Sequence, residues 1–130
     1  MLQPQDIIRT YYDALYSGDL ATVKACMTEV SYFMTLESFG LRLSFRDATF
    51  KTLLEKVQED DVALKKVEDL LSKDLLSRKK TPKIEIQNIE DNGDKRQTIH
   101  YTEDEKPKRL YFSKEDNGWK INYYAGRKVD

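Results

Sequence analysis

Polar-tipped aromatic rings far outnumber the thiol and imidazole groups of this 130-residue chain: eight tyrosines and one tryptophan, against one histidine and one cysteine. Tyrosine hydroxyls both donate and accept hydrogen bonds, and aromatic walls carrying a few polar atoms suit flat apolar molecules. On this ground Tyr12, Tyr32, Tyr101, Trp119 and Tyr123 are the candidate ligand-binding residues. The same rings fill a core as readily as they line a cavity, so core packing stands beside that reading. Other chemistries lack material. One His and one Cys leave too few soft ligands for a zinc site and predict no Cys-His dyad. Cys26 has no internal partner for a disulfide and reads as a small core residue, compatible with a reducing compartment. The chain contains no G-x-x-x-x-G-K-[ST], G-x-G-x-x-G, H-E-x-x-H, C-x-x-C or G-x-S-x-G pattern. The two Glu-Asp-Asn-Gly turns, at 90–93 and 115–118, lack the ligand spacing of a calcium loop and read as solvated hairpin turns. No metal and no cofactor is expected.

The elements that would position these residues can be read from periodicity and punctuation. A first helix from about Pro4 to Tyr16 carries Ile7, Ile8, Tyr11, Tyr12 and Leu15 on one stripe and ends at Gly18. Asp19 caps a short second helix with Leu20, Val23 and Met27 on one face. Val30, Tyr32, Met34 and Leu36, then Leu41, Leu43 and Phe45, alternate with other residues and predict a hairpin turning near Glu37 to Gly40, although Leu36, Phe39 and Leu43 also fit a helix. Asp47 caps a long helical region reaching Lys79, with Lys79-Lys80 in its last turn and Pro82 as a stop. As one rod it would span about 50 Å, too long for a domain of this size, so a bend at Asp60-Asp61 is expected, with a protruding arm as the alternative.

From Lys83 the period becomes two. Asn92-Gly93 and Asn117-Gly118, read as two-residue loops, pair Ile86 with Ile99, Ile84 with Tyr101, Phe112 with Tyr123 and Leu110 with Ala125. A connection through Glu103 to Pro107 then sets Ile99 and Tyr101 beside Leu110 and Phe112. The result is a four-stranded antiparallel meander. Ile84, Ile86, Ile99, Tyr101, Leu110, Phe112, Trp119, Ile121 and Tyr123 face inward; Ile89, Thr98, His100, Arg109, Tyr111 and Tyr124 are among the residues facing out.

The order helix, helix, hairpin, helix, meander, with Tyr12-Asp-Ala-Leu-Tyr-Ser-Gly-Asp-Leu20 and Asn117-Gly-Trp-Lys-Ile121, resembles the NTF2-like superfamily, which includes the SnoaL-like and ketosteroid-isomerase-like proteins. The resemblance implies one α+β domain over residues 1–130, a cone with the helices packed on a curved sheet; a cystatin-like sheet around one helix is the alternative fold. Catalytic members of that superfamily place acids and bases inside the cone. Here the inward sheet positions are apolar or aromatic. The weak catalytic candidates are Tyr101 with Glu37 or Asp47, the two carboxylates lying with Arg42 where a cone mouth would be; turn, surface and cap are their plainer roles. A non-enzymatic small-ligand or protein-interaction module is therefore expected, the alternative being a SnoaL-like isomerase, hydrolase or cyclase.

His100, Tyr111 and Tyr124 mark the outward face as an interface, because members of the superfamily often dimerise through their outer sheet faces, and a homodimer is expected. Composition sets the rest of the partner list. Twenty-two Lys+Arg against 23 Asp+Glu leave a net charge of -1, without the basic footprint of a nucleic-acid binder. No uninterrupted apolar run exceeds three residues and the N-terminus lacks the pattern of a secretory signal, which together read as a cytoplasmic protein with no membrane contact.

Overall fold

A computed structural model describes residues 2–78 and 81–125; Lys79 and Lys80, expected in a last helical turn, lie outside the described residues. The chain is α+β: α1 (Pro4–Tyr16), α2 (Leu20–Ala25), α3 (Glu29–Arg46), α4 (Ala48–Glu55) and α5 (Asp61–Ser77) precede β1 (Ile84–Asp91), β2 (Arg96–Glu103), β3 (Lys106–Glu115) and β4 (Gly118–Ile121). The first two helices follow their punctuation. Pro4 opens α1, and the Asp19 carboxylate accepts from the Thr22 amide at the head of α2. Gly18 sits between them at φ +73, with Ser72 and Leu76 of α5 directly against it.

The expected hairpin at 30–45 is replaced by α3, whose N-cap hydroxyl, Thr28 Oγ1, accepts from the Ser31 amide. The burial pattern supplies the reason. Tyr32, Thr35 and Leu36 are buried, whereas Val30, Leu41 and Phe45, on the opposite side of the same helix, are 56%, 55% and 83% exposed. A helix that is apolar on two faces imitates the alternation of a strand. Downstream, Asp47 caps α4 and Asp60 caps α5, each through one carboxylate oxygen that accepts from two backbone amides. The region thus bends at the acidic pair and does not run as a rod. Phe50, Val57 and Val67 form a satellite core where α3, α4 and α5 meet, while α1, α2, α3, α5 and the sheet share the main core.

Helices cover one face of the sheet, in strand order β1-β2-β3-β4, with every neighbouring pair antiparallel. Ile99, Tyr101, Leu110, Phe112, Trp119 and Ile121 are buried on the inner face as expected. The registers differ from the two-residue Asn-Gly reading. Gly118 pairs with Glu115, so Asp116-Asn117 make the last turn and Phe112 faces Ile121, not Tyr123. Ala125 falls beyond β4, in a turn, and does not face Leu110. Residues 92–95 form a longer first loop, and an irregularity at Gln87 makes Ile86 face Tyr101, Ile84 face Glu103 and Ile89 face Ile99. Ile89 is thereby turned to the inner side at the sheet edge, not outward. Between β2 and β3, Asp104 and Glu105 hold φ of 50 and 70, the pair of left-handed residues a tight hairpin turn needs, without a glycine. Ile99 does pair with Leu110, while Tyr101 pairs with Lys108 and Phe112 with Gln97.

A backbone contact joins the helical half to the sheet. Met27 makes a parallel bridge to Ile121: the Ile121 amide donates to Cys26 O at 2.8 Å and the Thr28 amide to Ile121 O at 3.0 Å. On α5, the Asp74 carboxylate accepts from Arg42 of α3 at 2.9 Å and from Arg78 at 3.0 Å. Burial pushes that carboxyl up, but its two guanidinium partners outweigh burial and hold it below the usual range. Gly18→Ala is expected to lower stability by about 2 kcal/mol or more in urea unfolding, since the left-handed backbone disfavours a Cβ and the new atom would meet the Ser72 carbonyl at 2.9 Å. Gly93→Ala, at φ +121 with open space around it, should lose less.

Candidate functional site

The tyrosines do converge, but on one another. Tyr12 of α1 and Tyr101 of β2 share a hydrogen bond between hydroxyls at 2.8 Å, with their rings edge to face and 6.1 Å apart. Tyr11 stands edge-on to Tyr12 at 5.1 Å, and the Tyr123 hydroxyl lies 3.2 Å from Thr35 Oγ1. The Thr35 hydroxyl also donates to Ser31 O at 3.0 Å, so α3 and the chain after β4 are bound to the same polar seam. Burial pushes Tyr101 up to about 12, and burial together with the Tyr101 hydroxyl and the neighbouring Glu103 carboxylate pushes Tyr12 further. Tyr11 is also raised, by burial first and then by Tyr123. All three therefore stay neutral near pH 7.

Tyr32 belongs to α3 rather than to a strand, and its hydroxyl donates to Glu68 Oε2 of α5 at 2.5 Å. Burial and that carboxylate raise its pKa far beyond the ordinary tyrosine value. Glu68 borders an open depression of about 420 Å³ beside Lys24 and Lys65. Glu37 and Asp47 do not join any tyrosine hydroxyl. Glu37 is exposed on α3, Asp47 is occupied as the cap of α4, and Arg42 is paired with Asp74. The carboxylates that do approach tyrosines are Glu103 and Glu68, which spacing does not single out, because one closes a strand and the other rides α5 and meets Tyr32 only where α3 packs on it.

Of the expected interface set, His100 and Tyr111 lie on the sheet face away from the helices. His100 Nε2 is 3.1 Å from Glu90 Oε1, and the Arg109 guanidinium lies over the Tyr111 ring at 5.8 Å. Tyr124 is in the turn after β4, where its amide donates to Asn122 Oδ1. Charge therefore punctuates this face more than the sequence pattern implies. Trp119 lines none of the tyrosine seam; it borders a groove of about 360 Å³ between α1, α2 and β4, shared with Ile7, Cys26 and Lys120. Among the described residues no cluster of three or more His, Cys, Asp or Glu is placed to hold a metal, and no helix is long and apolar enough to cross a membrane.

Comparison with protein-family models, curated proteins and solved structures finds no match. The chemistry of the site therefore rests on its own geometry. What the seam can do is hold α1, α3 and β2 together through neutral hydroxyls, each satisfied by another.

Two outcomes follow for the Tyr12–Tyr101 pair. Tyr12→Phe or Tyr101→Phe alone strands a buried hydroxyl and should remove about 1–3 kcal/mol, while the double variant should lose clearly less than the sum, as read by urea unfolding. A tyrosine whose folded pKa is raised stabilises the fold below its unfolded value near 10. That stability is lost as pH climbs through the folded value, about 12 for Tyr101, so unfolding should steepen between pH 10 and 12. Tyr101→Phe should flatten that alkaline limb.

Proposed function

We propose that this chain is a non-enzymatic interaction module of the NTF2-like kind that pairs with a second copy of itself. The carrying observation is the outer face of α3, where Val30, Leu41 and Phe45 stay exposed although a second side of the same helix already supplies the core. Large apolar groups aligned on one helix and left to solvent mark a contact surface more often than an idle one. Their spacing supports a self-complementary contact. Two antiparallel copies of α3 set Val30 against Phe45 and Met34 against Leu41 on both sides of a two-fold, with Glu37 and Ser38 nearest its centre. The outer sheet face, carrying Glu90, His100, Arg109 and Tyr111, is the less apolar alternative.

The order of two helices before a meander with an apolar inner face supports the superfamily assignment over a cystatin-like sheet, and α3 in place of the hairpin and the long α4–α5 region are its departures. An isomerase, hydrolase or cyclase would need a carboxylate beside Tyr101, but among the described residues Glu37 is exposed on α3 and Asp47 is engaged as the cap of α4.

Sedimentation equilibrium at tens of micromolar should give a dimer. Leu41→Glu combined with Phe45→Glu should weaken it by about 100-fold or more while leaving the circular dichroism unchanged, as expected for removal of central apolar anchors. Tyr111→Glu with Tyr124→Glu should leave the mass as it is. A monomeric parent protein would overturn the pairing, and dissociation by the second variant alone would move the contact to the sheet.

A further inference from the structure

The groove between α1, α2 and β4 has a chemical character that neither the tyrosine seam nor the α3 face shares. Ile7, Ala25, Cys26 and Trp119 supply its apolar wall, and among the described residues Lys120 is the single charged one on its lining. Its volume of about 360 Å³ falls in the range of small-molecule sites.

The polar atoms around the groove divide into those already engaged and those left open. The Thr10 hydroxyl donates to Asp6 O at 3.1 Å and the Thr22 hydroxyl to Asp19 Oδ2 at 2.6 Å, so both are used within their own helices. Trp119 is different. It is only 9% exposed and adds a flat aromatic surface, not a hydroxyl, to the groove wall. Lys120 Nζ donates one hydrogen to Ala25 O at 2.6 Å, which fixes the ammonium at the end of α2 and leaves two further hydrogens. Burial pushes the Cys26 thiol up, ahead of the opposing effect of Lys120, so Cys26 serves as neutral apolar wall and takes part in no covalent step.

We infer that this groove binds a small monocarboxylic acid with an apolar body, its chain or ring against Ile7, Cys26 and Trp119 and its carboxylate on Lys120. The charge arrangement selects the acid. Among the described residues no carboxylate lines the apolar groove, and the Lys120 ammonium is the charged group it offers an anion. The neighbouring polar depression of about 570 Å³, which shares Lys120 and Asn117, sets Lys95 and Lys114 against Glu29, Glu115 and Asp116, a balanced set that would not hold an anion by itself. The site does not depend on the pairing of α3 helices and includes none of the residues assigned to it.

The single tryptophan of the chain makes the test direct, because Trp119 emission reports from the groove wall. Octanoate, titrated below its micellar concentration, should shift that emission saturably, and octanol should bind more weakly. Lys120→Met, which keeps the apolar stem, should reduce octanoate affinity by about fivefold and leave octanol unchanged. Ala25→Phe, placed on an exposed position of the wall so that the fold is spared, should abolish both responses with the same circular dichroism and the same sedimentation mass as the parent. No saturable response to octanoate overturns the site. Equal loss of octanoate and octanol in Lys120→Met would overturn the ionic selection. Binding retained in Ala25→Phe would overturn the location.

Discussion

The short parallel bridge between Met27 and Ile121 is the contact on which the arrangement of the molecule depends. It places the link between α2 and α3 along the last strand, with one backbone hydrogen bond on each side of Met27. Backbone hydrogen bonds fix direction as well as distance, so the bridge sets where α2 ends and the line along which α3 departs. The groove bordered by Cys26 and Lys120 exists because those residues flank that bridge on its two strands. The outward face of α3 points to solvent for the same reason: Thr28, the cap of the helix, is itself held by the Ile121 carbonyl. The bridge thus complements the shared core in setting the helical half against the sheet.

The tyrosine seam works with the bridge from the inside. Tyr12 and Tyr101 join α1 to β2, Tyr123 and Thr35 join the end of the sheet to α3, and Tyr32 with Glu68 joins α3 to α5. Each hydroxyl is a group that would be expensive to bury alone and is harmless when paired. Specific polar pairs of this kind restrict how the helices can slide over an otherwise apolar contact. Aromatic content that could have signified a ligand chamber is used to register helices against strands.

Local signals were legible wherever one residue decides one structure. Asp19, Asp47 and Asp60 cap the helices their positions foretell, Pro4 and Gly18 bound α1, and alternation assigned the inner sheet residues from Ile99 to Ile121. Legibility failed where two structures share a pattern. Val30, Met34, Leu41 and Phe45 add a second apolar stripe to α3, and their spacing combined with that of Tyr32 and Leu36 imitates period two. Asp116-Asn117 and Asn117-Gly118 are both acceptable turns, and only the pairing of Glu115 with Gly118 chooses between them. The slip at Gln87, which turns Ile89 over, leaves no local mark. At the candidate sites, sequence identified the aromatic rings but not their partners, because Glu68, Glu103 and Lys120 acquire a role only when distant elements meet.

The two edges of the sheet are treated unequally. β4 is covered by the Met27 bridge, whereas β1 is the outer strand on the other side, eight residues long, and exposed along most of its length. An uncovered strand edge is a template for runaway polymerisation, with one chain adding to the next through backbone hydrogen bonds. β1 carries several of the devices that oppose this: a ladder irregularity at Gln87 that breaks the straight run, and Glu85, Glu90 and Asp91, which put negative charge along the edge. The two edges thus meet the same hazard by different means, a backbone bridge on β4 and charge with a broken ladder on β1.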